Sequence, residues 1–341
     1  KERMYKFDEA KYLEIGHKTA ADLELAEKAA DAAVAHGFDN IFMVGVGGSM
    51  AMLTAASVVW KQMSNTPVYL EHAAELMTIG NRQLTEKSLI ITVSKSGDTK
   101  EVTAATAKLK EKGCYIVAFT SSPDSPIGKN SDGYVPVVKA DLPEFYYMEI
   151  YTFLMRIFLK QGEISEADYA QFKKEVAMMP ENMVKVKEKF DPEAERMAEA
   201  LKRENYILFV GGGQMWGENI DEAMCVVEEA LWVRTKFVSS ADLFHGTLEL
   251  IDDLTPVILI KGEGPDRALD ERAERFLKQT PAKLFVVDTK DYELEGVEEK
   301  FRWIYAPFIA CSLLIDRLSI QMSLKLGHDM QLRRYYRQFE Y

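Results

Sequence analysis

The feature that most constrains this fold is a pattern that the chain carries twice. Ile41-Phe42-Met43-Val44 runs into Gly45-Val46-Gly47-Gly48-Ser49, and Ile207-Leu208-Phe209-Val210 runs into Gly211-Gly212-Gly213, a shift of 166 residues. A short apolar run ending on glycines marks a buried strand that turns into a helix. The same shift carries Leu89–Val93, followed by Ser94-Lys95, onto Thr255–Leu259, followed by Ile260-Lys261. At nearly that shift Ile116–Phe119 falls on Leu284–Val287. Three matches in one order at nearly constant spacing indicate an internal duplication. Further apolar runs at Val68–Leu70 and Tyr134–Val138, with helical patterns over 17–37, 49–63 and 98–112, complete the first half. Strands alternating with helices predict an α/β fold of two similar, doubly wound parallel-sheet halves, each covered on both faces.

The expected divisions are a first half over 1–160, a charged helical connector over 161–200, a second half over 201–330 and a tail over 331–341. With 341 residues the chain has room for about two domains. Pro307–Leu326 reads as a long amphipathic helix. The tail from Leu332 to Tyr341 is aromatic and basic, a composition suited to docking on something.

Composition removes several classes. The net charge of −12 offers no basic excess for nucleic-acid phosphates. Cys114, Cys225 and Cys311 are far apart, which predicts a reducing compartment and no disulfide framework. The first residues hold no apolar secretion segment, and the longest apolar stretch, Trp303 to Leu314, is interrupted by Pro307. The expectation is a soluble cytoplasmic protein that binds neither nucleic acid nor membrane. Neither HExxH nor a CxxC pair is present, so no metal is expected. A G-x-S-x-G elbow is missing as well, which removes the usual serine hydrolase.

The sharpest chemical signal is Ser94-Lys95-Ser96-Gly97-Asp98-Thr99, directly after an apolar run. A loop that leaves a parallel strand and opens a helix offers unpaired N–H groups and the positive end of the helix dipole. Ser94, Ser96 and Thr99 add hydroxyls, Lys95 a cation, and Gly97 close backbone approach. The pattern suits a phosphate monoester, although Ser and Asp also make ordinary N-capped turns. Gly47 and Gly48 keep the first turn open, and Ser49 adds a donor to the same site. A dinucleotide reading of Gly45–Met50, with Glu71 as the ribose acid, fails at Met50, where a small residue is required. The duplicate loop, Ile260-Lys261-Gly262-Glu263-Gly264, has no hydroxyl and gains a carboxylate, which predicts one phosphate site per chain.

The second constellation is Glu228-Glu229 followed by Asp242-Leu243-Phe244-His245-Gly246. Alone, the glutamates would be a solvated helix face and His245 a cap or a core histidine. His17 and His36 read as surface residues at the ends of the first helix, and His72 and His328 have no evident partner.

Together, Gly47-Gly48-Ser49, the Ser94–Thr99 loop, and Glu229 with His245-Gly246 sixteen residues later resemble the double-SIS (sugar isomerase) family, which includes the isomerase half of glucosamine-6-phosphate synthase. The resemblance covers essentially the whole chain. It implies that the hydroxyl loop holds a sugar phosphate, that Glu229 is the base, and that His245 opens the sugar ring. Thr247 stands where the family usually has proline. No glutaminase module is expected. Arg333-Arg334-Tyr335-Tyr336, Phe339-Glu340-Tyr341, Pro307-Phe308 and Met148-Glu149-Ile150 look like fructoselysine-6-phosphate deglycases, which split phosphorylated Amadori compounds into a hexose 6-phosphate and an amino acid. That resemblance implies no cofactor, and an active site shared between subunits of a homodimer or larger assembly. Glu149 is expected at the start of a helix over 149–160, on the rim that holds Ser49 and Ser94. There it would serve either the helix dipole or the cationic part of the substrate's amino acid. An aldose–ketose isomerase, an aminotransferring synthase and a non-enzymatic sugar-phosphate sensor are the competing expectations.

Overall fold

Both glycine-rich turns lie where the chain passes from strand to helix. In a computed structural model, which describes residues 4–341, strand β1 (Asn40–Gly45) is buried throughout and leads through Val46 into the helix Gly47–Met63. Gly47 makes that turn with φ +52°, a region that disfavours other residues. The chain divides into two compact units. One holds Glu9–Glu181 with Glu295–Val297. The other holds Asn182–Leu294, Glu298–Tyr341 and the described residues up to Asp8. The boundary falls inside the helix Met179–Leu201, so the segment read as a connector is split between the two.

In the first unit β2 (Val68–His72), β3 (Ser88–Ser94), β4 (Tyr115–Thr120) and β5 (Gly133–Pro136) join β1 in a five-stranded parallel sheet of order β2-β1-β3-β4-β5. β1 and β3 are buried at every position, as a central parallel sheet with both faces covered requires. On one face Ala73, Leu76, Val102, Ala105, Leu109 and Ile127 pack from three helices onto Phe42, Val44, Ile90 and Ile116. Burying each of the Val, Leu, Ile and Phe side chains among these stabilises the fold by roughly 1.5–3 kcal/mol. The long helices Glu9–His36 and Pro143–Lys160 pack together. The first starts eight residues earlier than expected, so His17 lies within it and bonds to Glu181.

The second unit repeats the plan with four strands, β6 (Tyr206–Val210), β7 (Arg234–Val238), β8 (Pro256–Lys261) and β9 (Lys283–Asp288), in the order β7-β6-β8-β9. Phe42 pairs with Ile90 and Leu208 with Val257. The duplication is therefore shifted by 166 residues on the first strand and 167 on the second. Lys261, not Ile260, takes the place of Ser94. Pro307 does not interrupt the C-terminal helix but sits in the first turn of Ala306–Cys311. The helical run Glu299–Leu326 is long and apolar enough to cross a membrane, yet 78% of its apolar window is buried within the protein. It is a core helix, buried nearly all round rather than along one stripe.

Candidate active site

The first unit places Gly48 and Ser49 just after the carboxyl end of β1, and Ser94, Lys95, Ser96 and Thr99 at that of β3. β1 and β3 are neighbours, and their crossovers leave in opposite directions, to β2 on one side and β4 on the other. The carboxyl end of such a pair is the ligand crevice of an open α/β sheet. Two helices begin there, Gly47–Met63 and Lys100–Lys112. Neither N-cap residue, Val46 or Thr99, makes a side-chain capping bond. Their first N–H groups lack the usual capping oxygen and suit an anion. Ser94 is only 2% exposed. Its Oγ accepts the Gly97 N–H at 3.0 Å and lies 3.2 Å from Thr99 Oγ1, so it braces the loop. Ser49, Ser96 and Thr99 are half-buried. Lys95 is drawn to Asp141 in an ion pair. Gly97 has φ +73°, and a Cβ there would lie 2.3 Å from Ser125 Oγ.

Glu149 is elsewhere. Its helix starts at Pro143, so Glu149 is six residues, about 9 Å, along the axis. It is 2% exposed, with Oε2 unpartnered. Burial, reinforced by Asp22, pushes its carboxyl well above the usual range. Its electrostatic neighbours are Lys18, Asp22 and Tyr134, so it is neither a helix-terminal acid nor a rim residue. The hydrophobic pattern hid the six residues of helix before it. Glu71, the rejected ribose acid, is bonded to Asn81 at 2.7 Å.

In the second unit the matching place is filled by the protein itself. Asp266 Oδ2 accepts the Gln214 N–H at 3.1 Å, and Asp270 Oδ2 accepts the Gly262 N–H at 3.0 Å. A Cβ on Gly213 would lie 1.9 Å from Asp266 Oδ2. Burial raises both acids, Asp270 to about 6. Lys261 is ion-paired to Glu274 and Asp288.

Glu229 and His245 are both in this unit but are not brought together. Glu229 follows a π-helix, Asp221–Glu228, at the amino end of β7, whereas exposed His245 follows the carboxyl end, in a loop of 3₁₀ turns. Five strand residues, about 16 Å, separate the two ends. β7 was missed in the sequence because Arg234 and Lys236 interrupt its apolar positions. Alternation over Arg234–Val238 was the available signal.

What meets Glu229 is the tail. Arg333 Nε lies 3.1 Å from Glu229 Oε1. Trp232 has φ +59°, a strained conformation for a bulky residue. Its ring is held between the Arg334 guanidinium, 4.2 Å from the centroid, and His328, at 4.6 Å. The tail thus closes a cavity of about 620 Å³ lined by Glu229, Trp232, Thr235, Arg334, Tyr335 and Tyr336. That is an ordinary size for a small-molecule site. Trp232 did not stand out in the sequence. Arg333 did so only as part of the basic, aromatic tail and of the resemblance it carries, with no role assigned to it.

Comparison with known proteins agrees with this fold. The SIS domain family matches residues 37–143. Fructosamine deglycase FrlB of Bacillus subtilis (strain 168) is 26% identical over 309 residues, covering 89% of this chain and 93% of its own. Fructoselysine 6-phosphate deglycase of Escherichia coli (strain K12) is 22% identical, covering 92% and 90%. A B. subtilis crystal structure described as a phosphosugar isomerase superposes with TM-score 0.85 at 23% identity, covering 94% of this chain and 99% of its own. The C-terminal domain of glucosamine-fructose-6-phosphate aminotransferase from Francisella tularensis gives 0.79 at 16%, covering 94% and 95%. At these identities the two structures speak for the fold. Residues 37–143 thus match the SIS domain, and over nearly its whole length the chain is similar to fructosamine and fructoselysine 6-phosphate deglycases.

Proposed function

We propose that this enzyme is a deglycase that hydrolyses a 6-phosphorylated Amadori compound, of the fructoselysine 6-phosphate type, to glucose 6-phosphate and the free amino acid. The observation that carries the reading is the cavity at Glu229, a carboxylate beside guanidinium groups in a space fit for more than a sugar. The uncapped loop of the first unit holds the phosphate, with Ser49, Ser96 and Thr99 as donors and Ser94 as brace. His245 opens the sugar ring. Glu229 removes a proton from C1, next to the C2 carbonyl, giving an enaminol. Return of a proton to C2 leaves an imine between C1 and nitrogen. Water adds to that imine, the C1–N bond breaks, and the nitrogen departs with a proton as the amine. The substrate's own nitrogen and carbonyl take the electrons, so no cofactor is required.

Glu229 and His245 stand at opposite ends of β7, so one substrate cannot meet both within one second unit. A second copy of the chain supplies the missing partner, which makes the working enzyme at least a homodimer, placed in the cytoplasm. The same C1-to-C2 proton transfer would serve an aldose–ketose isomerase, a reading favoured by the likeness to the aminotransferase domain.

Release of the amine separates the two. Incubation with fructoselysine 6-phosphate should yield equal amounts of lysine and glucose 6-phosphate, and Glu229→Gln should slow this by about 10² or more. Mixing Glu229→Gln with His245→Ala subunits should restore part of the activity. Sugar interconversion without amine release would refute the deglycase, and mixed subunits as dead as either parent would refute the shared site.

A further inference from the structure

Arg333 and Arg334 are sequence neighbours in different circumstances. Arg333 is engaged by Glu229 and by the carbonyls of Met330 and Leu332, at 2.7 and 2.8 Å. Arg334 is stacked on Trp232 and, among the described residues, has no carboxylate partner; the same is true of Arg234. Both line the cavity that Glu229 lines. A guanidinium lying over an indole keeps its plane fixed and its N–H fork free, an arrangement matched to a carboxylate. Trp232 provides that platform at φ +59°, a strained conformation for a bulky residue and one that marks functional sites.

We propose that Arg334, with Arg234 beside it, binds the α-carboxylate of the substrate's amino-acid portion. The inference rests on the deglycase reading and narrows it: the enzyme takes Amadori compounds of amino acids and discriminates against those of simple amines. In an α-linked compound the carboxylate lies three bonds from C1, so a group anchored on Arg334 leaves C1 within the same cavity as Glu229. Tyr335 and Tyr336 form the wall open to a variable side chain. Recognition at this end uses the substrate's anion, rather than its nitrogen through Glu149, which lies buried elsewhere.

The test uses the 6-phosphorylated Amadori compounds of glycine and of methylamine, which differ by the carboxylate alone. For the wild-type protein kcat/KM should favour the glycine compound by about tenfold or more. Arg334→Gln should bring the ratio close to one, and Arg334→Lys should recover part of it. Because the ratio is internal to each variant, partial misfolding does not mimic the effect. A wild-type ratio near one, or a ratio that Arg334→Gln leaves unchanged, overturns the assignment. Turnover of neither compound while fructoselysine 6-phosphate still releases lysine overturns this proposal alone, and release of amine from none of the three overturns the deglycase reading with it.

Discussion

Glu222 gives a direct test of how the helix leading to Glu229 is built. It lies in the π-helix Asp221–Glu228, which ends immediately before Glu229, and it is fully buried. Ser319, next to a second π-helix Ser312–Leu318, donates to its Oε1 at 2.8 Å, while Oε2 has no partner. Burial, with help from Asp221, pushes the carboxyl up from about 4.5 to about 8. Below pH 4.5 both folded and unfolded chains hold this proton, and the group is neutral to stability. Between 4.5 and 8 the unfolded chain loses it while the folded chain keeps it, so the folded state loses ground as pH rises. Each unit is worth 1.36 kcal/mol, so from pH 5 to pH 7.5 the loss is about 3 kcal/mol. Glu222→Gln keeps an acceptor for Ser319 and removes the titration. Urea unfolding at the two pH values should show the wild type losing about 3 kcal/mol more than the variant. Parallel profiles would refute the picture of a neutral acid locked between two π-helices.

Two further perturbations test the frame around the site. Gly97→Ala places a Cβ against Ser125 and Thr120 at φ +73°, so glucose 6-phosphate binding measured by calorimetry should weaken about tenfold; unchanged affinity would move the phosphate elsewhere. Asp316 accepts from Lys187 at 2.8 Å and Arg317 at 2.9 Å, both cations fully buried, and they hold its carboxyl below the usual range. That stability is present above the ordinary carboxylate pKa and lost as pH falls through the depressed one. Asp316→Asn should cost about 3 kcal/mol in denaturant unfolding at neutral pH, because it removes the carboxylate that the two buried cations share while Asp191 still pairs with Arg317.

The strands that were legible in the sequence are those whose side chains face protein on both sides. β1, β3 and β8 are buried throughout, so they read as unbroken apolar runs. β7 is an edge strand with alternate residues in solvent; Arg234 and Lys236 there look like loop. That omission mattered, because it hid that Glu229 and His245, sixteen positions apart and paired by the resemblance, stand at opposite ends of a strand. The hydroxyl loop was legible because its chemistry is local to six residues. The Glu229 cavity was not, because Arg333 and Arg334 are about a hundred positions away in the chain and only the fold brings them near. Glu149 failed for a different reason. Residues 143–148 are as apolar and aromatic as the helix they open, and no polar cap marks the start, since Leu142 at the N-cap makes no side-chain bond.

The duplicated halves satisfy the same backbone in two ways, and the division of chemistry follows from that. A strand that turns through glycine into a helix leaves N–H groups unpaired at the carboxyl edge. In the first unit Ser94 takes only the Gly97 N–H, and the helix starts at Gly47 and Lys100 keep theirs for a ligand. In the second unit Asp266 and Asp270 supply oxygens to the N–H groups of Gln214 and Gly262. Those acids are raised by burial and remain tolerable because each is hydrogen-bonded. A phosphate arriving there would meet two carboxyl groups and no free donor from either residue. The second unit is thus left to contribute from other parts of its sheet. The amino end of β7 is where its helix delivers Glu229 and where the tail closes a cavity. On the deglycase reading the first half is free to take an anion and the second to offer Glu229, a division that a perfectly symmetric duplication would not have allowed.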